Sequence, residues 1–210
     1  ANLQQGIIRV QGEMDSLDAS QFRVLNMLNA KWIVMPAQDG TTIPLENPYA
    51  MGNAWFVDDI RFVANADEEI DALGTLDLRK QAVADKKYEP LLGGFRPTPA
   101  DSASTILLKE YDSDFITYAV DAKKEELALF SDVYYPKGWQ ITIDGQPAQM
   151  IRANYTLRAL PIPAGQHTVE FRFDPQSIRV TDSIAYAAMF IILLTALFLG
   201  YSTLRPKKRP

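Results

Sequence analysis

The sequence predicts an α+β chain in four parts: a small mixed α/β subdomain with a linker over residues 1–103, an antiparallel β-sandwich over 104–182, a transmembrane helix over 183–204 and a basic cytoplasmic tail over 205–210. Three observations carry this reading. Helix and strand signals alternate before residue 90, short alternating runs separated by turn residues recur from Thr105 to Phe173, and one uncharged apolar run lies near the C-terminus. The 210 residues are 47% hydrophobic and 22% charged, ordinary globular values that exclude a disordered or collagen-like chain.

In chain order, SLDASQFRVLNMLNA offers a helix N-cap at Ser16 or Asp18, followed by Phe22, Leu25, Met27 and Leu28 at roughly helical spacing. It runs into the strand-like KWIVMP. After turn residues that include Asp39, Gly40, Pro44 and Gly52, AWFVDDIRFV is β-branched and aromatic, as a strand or a bent pair of strands requires. DEEIDALGTLD reads as a short helix stopped near Gly74, and QAVAD as the returning strand of a strand, helix, strand unit. PLLGGFRPTPADSAS, from Pro90 to Ser104, has linker composition, and the subdomain boundary is placed there. Beyond it come TILLKEY, FITYAV, LALFSDVYY, WQITID, AQMIRA, TLRALPI and HTVEFRF, short strands at sandwich spacing. Asp144-Gly145 is the sharpest turn signal, because a type I′ hairpin needs positive φ at both turn residues.

The stretch from Ser183 to Leu204 is 22 residues without charge, and a helix needs about 20 to cross a bilayer core. Arg205, Lys207, Lys208 and Arg209 follow it, so the positive-inside bias puts the C-terminus in the cytoplasm and everything before the span outside it. That outside part holds 17 cations against 26 acids, a net charge of −9, which argues against nucleic acid as a partner. ANLQQGIIRVQGEMDSLD has no basic, apolar export signal. Its translocation is therefore expected to depend on something upstream, either a removed signal peptide or the earlier helices of a polytopic membrane protein.

With no cysteine and a single histidine, His167, thiolate zinc and iron–sulfur sites are excluded and no histidine cluster can hold a transition metal. No P-loop, GxGxxG or GxSxG is present. No cofactor, metal or catalytic residue is assigned. Asp112-Ser113-Asp114 has the DxD form that can face a cation, and reads as a solvated turn between strands. His167 reads as a surface residue with no adjacent partner. Asp58-Asp59 point to opposite faces of a strand, and Glu125-Glu126 fall in a probable turn. The richer cluster runs from Tyr134 to Arg158. Its amphipathic rings and hydrogen-bonding groups are the equipment for gripping a sugar or a polar protein surface, and about half of the rings should instead fill the core. Tyr135, Trp139, Asn154, Tyr155 and Arg158 are the expected contacts.

LNMLNAKWIV, NPYAMGNAWFV, TLDLRKQAVADKKY and above all LFSDVYYPKGWQITIDGQPAQMIRANYTLRALPIPAGQHTVEFRFDP resemble the C-terminal extracytoplasmic region of the YfhO family of bacterial multi-pass membrane proteins. The resemblance implies many transmembrane helices before this region and a last one after it. It also implies a GT-C-like glycosyltransferase, which moves a sugar from a polyprenyl-phosphate carrier on the outer membrane face to an envelope polymer, lipid or protein. The catalytic acid of such enzymes lies near the first helices. This chain is then expected to position an acceptor, an envelope polysaccharide or glycolipid, from the outer side of the inner membrane, with the bilayer and the upstream membrane part as partners. The alternative is a non-enzymatic, membrane-anchored β-sandwich that binds envelope polysaccharide or a partner protein.

Overall fold

The computed structural model describes residues 22–36 and 40–204. The N-cap expected at Ser16 or Asp18 and the basic tail lie outside the described residues. The N-terminal elements are a short helix α1 (Arg23–Met27) and a hairpin of β1 (Trp32–Pro36) and β2 (Thr42–Glu46). AWFVDDIRFV is a bent pair, β3 (Ala54–Val57) and β4 (Asp59–Val63), and the two strands enter different sheets. Asp58 sits at the bend, where its N–H donates to the Lys80 carbonyl at 2.6 Å.

The expected strand, helix, strand unit is present. β4 pairs in parallel with β5 (Gln81–Asp85), and α2 (Ala66–Leu73) connects them. Asn65 caps α2 by accepting the Glu68 N–H at 3.0 Å, and Glu68 reaches back to accept the Ala64 N–H at 3.0 Å. Asp67, Glu68 and Glu69 in the first turn suit the positive end of the helix dipole, and Gly74 caps the other end.

Two antiparallel sheets form the sandwich. One runs in the order β10 (Gln146–Pro147), β9 (Trp139–Ile143), β13 (Gly165–Phe173), β7 (Phe115–Ala122), β6 (Thr105–Tyr111). The other runs β11 (Ile151–Ala153), β12 (Leu157–Ile162), β8 (Glu126–Val133), β3. Asp144 and Gly145 take φ of 51° and 76°, the double positive φ of the expected β9–β10 hairpin. Tyr118, Phe130 and Phe171 meet edge to face between the sheets, with neighbouring centroids 4.9 Å apart across Phe130. Such pairs add about 1 kcal/mol each beyond the area they bury.

The four-stranded sheet is covered on both faces. Ala128 and Phe130 of β8 turn into the sandwich, while Leu127 and Leu129 turn to a second core shared with Ile60, Val63, Leu73 and Val83 of the α/β unit. This is why ELALF shows no polar alternation. The line drawn at 103/104 is therefore crossed: β3, from before it, pairs with β8, from after it. The stretch expected to be a linker is fastened to both sides. The Ala100 N–H donates to Asp58 Oδ1 at 2.7 Å, the Asp101 N–H to Glu126 Oε1 at 2.6 Å, and Lys124 Nζ to Thr98 Oγ1 at 2.6 Å. Glu126, placed in a turn by its sequence, opens β8 and is buried.

α3 (Gln176–Leu204) is 29 residues, about 43 Å at 1.5 Å per residue. Its stretch Gln176–Tyr201 is long and apolar enough to cross a bilayer, and none of its most apolar window is buried against the rest of the chain.

Candidate functional site

The loop from Tyr134 to Gly138 leaves β8 and enters β9. The Tyr134 N–H donates to the Thr156 carbonyl at 2.7 Å, which fixes the start of the loop. At its end Gly138 takes φ 111° and packs against the turn that follows β13, where a Cβ would come within 2.8 Å of Phe173 and of Pro175. The Gly138 carbonyl accepts the Asp174 N–H at 2.8 Å. Only glycine suits both the φ and the space.

This placement gathers rings around Phe173, with Trp139 at 5.3 Å and Tyr135 at 6.4 Å between centroids. Beneath Trp139 lies the Arg158 guanidinium, 4.2 Å from its ring centroid and 5.2 Å from that of Phe171. Arg158 Nε donates to the Val133 carbonyl at 3.0 Å, and burial lowers its pKa below that of a free guanidinium. Between this ring cluster and the β9–β10 hairpin runs a groove of about 440 Å³, walled by Tyr134, Trp139, Gln140, Thr142 and Gln149, with no charged side chain in its lining. Rings, carboxamides and hydroxyls share these walls with Pro136, Ile141, Pro147, Ala148 and Met150, so the lining is uncharged and mixes apolar with hydrogen-bonding groups.

The five expected contact residues separate. Trp139 is half-buried in the groove wall, and Tyr135 is 48% exposed on the adjoining loop. Arg158, 3% exposed, supports Trp139 from within and offers no surface for a ligand. Asn154 is wholly buried, its Oδ1 accepting the Val83 N–H at 2.9 Å, so its side chain joins two layers of the fold. Tyr155 is 41% exposed but belongs to another cluster, where its N–H donates to Glu69 Oε1 and its ring lies 5.4 Å from the Arg152 guanidinium. Arg152 Nη2 in turn donates to Glu69 Oε2 at 2.5 Å. Gln140 and Gln149 were not singled out in the sequence. Their signal was there, as amides flanking an aromatic strand and its hairpin.

The other motifs have local roles. Asp112 closes the turn before β7 through its backbone, its N–H donating to the Phe115 carbonyl at 2.7 Å, and no group of metal-ligating side chains forms among the described residues. His167 does have a partner: its Nδ1 lies 2.7 Å from Asp144 Oδ2 across the β9–β13 pairing. That hydrogen bond raises the His167 pKa and lowers that of Asp144. A second cleft, of about 340 Å³, holds Asp132, which accepts from Tyr111 at 3.2 Å and from Tyr118 at 3.3 Å.

Residues 102–185, which run from just before β6 into the first turns of α3, match the family model described as bacterial membrane protein YfhO. The chain is also similar to a protein of Bacillus subtilis (strain 168) described as uncharacterized protein YfhO, 22% identical over 135 residues. That match takes in 64% of this chain but only 14% of the relative, so the chain spans about one seventh of the relative's length. No solved structure matches the chain.

Proposed function

From the premise that this is a YfhO-family membrane protein, we propose that the chain is the extracytoplasmic acceptor-positioning region of a GT-C-like glycosyltransferase, inert on its own and anchored by α3 with its C-terminus in the cytoplasm. The observation that carries the proposal is the uncharged groove under Trp139, held by Gly138 and Asp174 beside the start of α3. A glycan bound there would lie next to the membrane in which a lipid-linked sugar donor is confined. Holding an acceptor in one orientation lowers the barrier without any catalytic group in this part of the protein. Trp139, in the groove wall, is the proposed acceptor contact, and Tyr155 is left to contact the upstream membrane part.

The test is sugar transfer by the full-length protein that carries this chain. Trp139→Phe keeps a ring over Arg158, and Gln149→Ala removes one amide. Both are expected to raise the KM for acceptor several-fold and to lower kcat as well, because an acceptor held loosely is both bound and oriented less well. Folded variants with unchanged KM overturn the acceptor contact. Immunoblotting of membrane fractions separates this reading from its rival. A native polypeptide far larger than 23.5 kDa fits a polytopic transferase, whereas one near 23.5 kDa leaves a single-span module that binds envelope polysaccharide.

A further inference from the structure

We propose that the Tyr135–Lys137 loop is a membrane-surface anchor, a phenol ring and an ammonium group that enter the anionic lipid headgroups and hold the sandwich against the bilayer that α3 crosses. Its position is the first reason. The loop is hydrogen-bonded through Gly138 to Asp174 and packed on Pro175, the residue immediately before Gln176 begins α3. It cannot swing away from the helix without losing those contacts.

Distance is the second reason. Seven residues, Gln176–Asp182, separate this junction from the uncharged run, about 10 Å of helix. The headgroup layer on each side of a bilayer is about 5–8 Å thick. Extended tyrosine and lysine side chains span the remainder, and the half-exposed Ile178 and Val180 let the first turns of α3 settle deeper still.

Chemistry is the third. Tyr135 stays 48% exposed although Phe173 backs it, and an amphipathic ring of this kind prefers the headgroup level to either water or hydrocarbon. Lys137 is exposed and makes no ion pair among the described residues. The nearest acid along the chain on the facing element, Asp174, is already paired with Arg179 at 3.2 Å. In a region whose net charge is −9, an unpaired cation at the membrane end is what allows approach to an anionic surface rather than repulsion from it.

The proposal stands whether or not the groove takes a glycan. The chain has no cysteine, so single labels can be placed cleanly. Pro136→Cys puts a nitroxide in the loop and spares both anchor residues. Ala164→Cys puts one on the exposed turn before β13, about 30 Å along that strand at 3.3 Å per residue. The whole chain is reconstituted in vesicles of phosphatidylcholine with phosphatidylglycerol, and nickel is chelated to a trace of headgroup-modified lipid. Relaxation of the nitroxide at residue 136 is expected to exceed that at residue 164 at least about threefold, and adding Lys137→Glu to be expected to erase most of the difference. An unlabelled control needs no substitution. Acylation of Lys137 by an impermeant amine reagent should slow at least about threefold on moving from detergent to these vesicles, while that of the exposed Lys123, at the Gly165 end of the sheet, holds steady. Equal relaxation at the two positions, or equal acylation in both media, overturns the proposal. So does protection of Lys137 without headgroup relaxation at residue 136, which would mean that protein covers the loop.

Discussion

Asn154 and Val83 exchange two hydrogen bonds across 71 residues of sequence: the Asn154 N–H reaches the Val83 carbonyl at 2.7 Å, and the Val83 N–H reaches Asn154 Oδ1 at 2.9 Å. The asparagine side chain thus supplies the acceptor that a neighbouring strand would have given β5, and it ties the turn between β11 and β12 to the α/β unit. Asn154 does this from φ 48°, a left-handed conformation that asparagine tolerates better than most residues. Asn154→Ala leaves the Val83 N–H buried without an acceptor, which costs about 1–3 kcal/mol, and adds about 1 kcal/mol of backbone strain. Asn154→Gly should recover the strain component alone. Urea unfolding followed by the fluorescence of Trp55, whose indole N–H donates to the Leu78 carbonyl in the same layer, measures both. Equal stability of the alanine variant and the wild type would contradict the role given to the side chain.

Local signals in the sequence were faithful where structure is locally determined. The Asp144-Gly145 hairpin and the capped α2 depend on residues a few positions apart, and the β4, α2, β5 unit on strands 22 positions apart that one short helix joins. What was hidden is non-local. Nothing near Ala54–Val57 says that this strand pairs with β8, some 70 residues on, and that pairing is what carries the fold across the 103/104 line. Polar residues were misplaced for the same reason. Asn154 and Arg158 look like surface groups until the second layer covers the four-stranded sheet, and Glu126 looks like half of an acidic turn until the Asp101 N–H folds over it.

His167, the chain's single histidine, gives an isolated reporter of the β9–β13 pairing. Its pKa is raised above 6.5, chiefly by the hydrogen bond to Asp144, and that of Asp144 is lowered below 3.8 by the same bond. The raised group stabilises the fold fully below pH 6.5 and loses that effect as pH climbs through its folded value. The lowered one stabilises above pH 3.8 and loses its effect as pH falls through its own. The pair therefore contributes most between about pH 4 and 6.5. In a proton NMR titration the imidazole C–H signals of the single histidine should move with a midpoint above pH 6.5, and Asp144→Asn, which suits the left-handed turn, should bring the midpoint back towards 6.5. An unmoved midpoint would mean that the contact is not populated in solution.

Gly138 and Gly145 both have positive φ, yet replacing them should have unequal effects. At Gly145 a Cβ meets nothing within 4 Å, so Gly145→Ala bears only the turn strain, about 1 kcal/mol. At Gly138 the Cβ would press on Phe173 and Pro175 at 2.8 Å, adding an overpacking cost of about 1–3 kcal/mol. Thermal unfolding in detergent should therefore place Gly138→Ala well below Gly145→Ala. If the order reverses, the loop does not sit on the junction with α3 as described.

Arg158 is a buried cation with incomplete compensation. It has two ring faces, one carbonyl and the attraction of Asp132, while its Nη1 finds no partner. Lysine in its place keeps the charge and gives up the flat stacking surface and the Nε bond to Val133, a loss of about 2–3 kcal/mol. Methionine keeps much of the length and removes the charge with its desolvation cost, so Arg158→Met should stay within about 1 kcal/mol of the wild type. The conservative substitution is thus expected to be the more damaging one, which urea midpoints of the two variants decide. The methionine variant then separates stability from function. If the guanidinium holds the Trp139 ring at the angle the groove needs, a folded Arg158→Met protein should bind acceptor glycan several-fold more weakly while unfolding at nearly the wild-type midpoint. Undiminished glycan binding in that variant would leave Arg158 a packing residue and the Trp139 ring self-supporting.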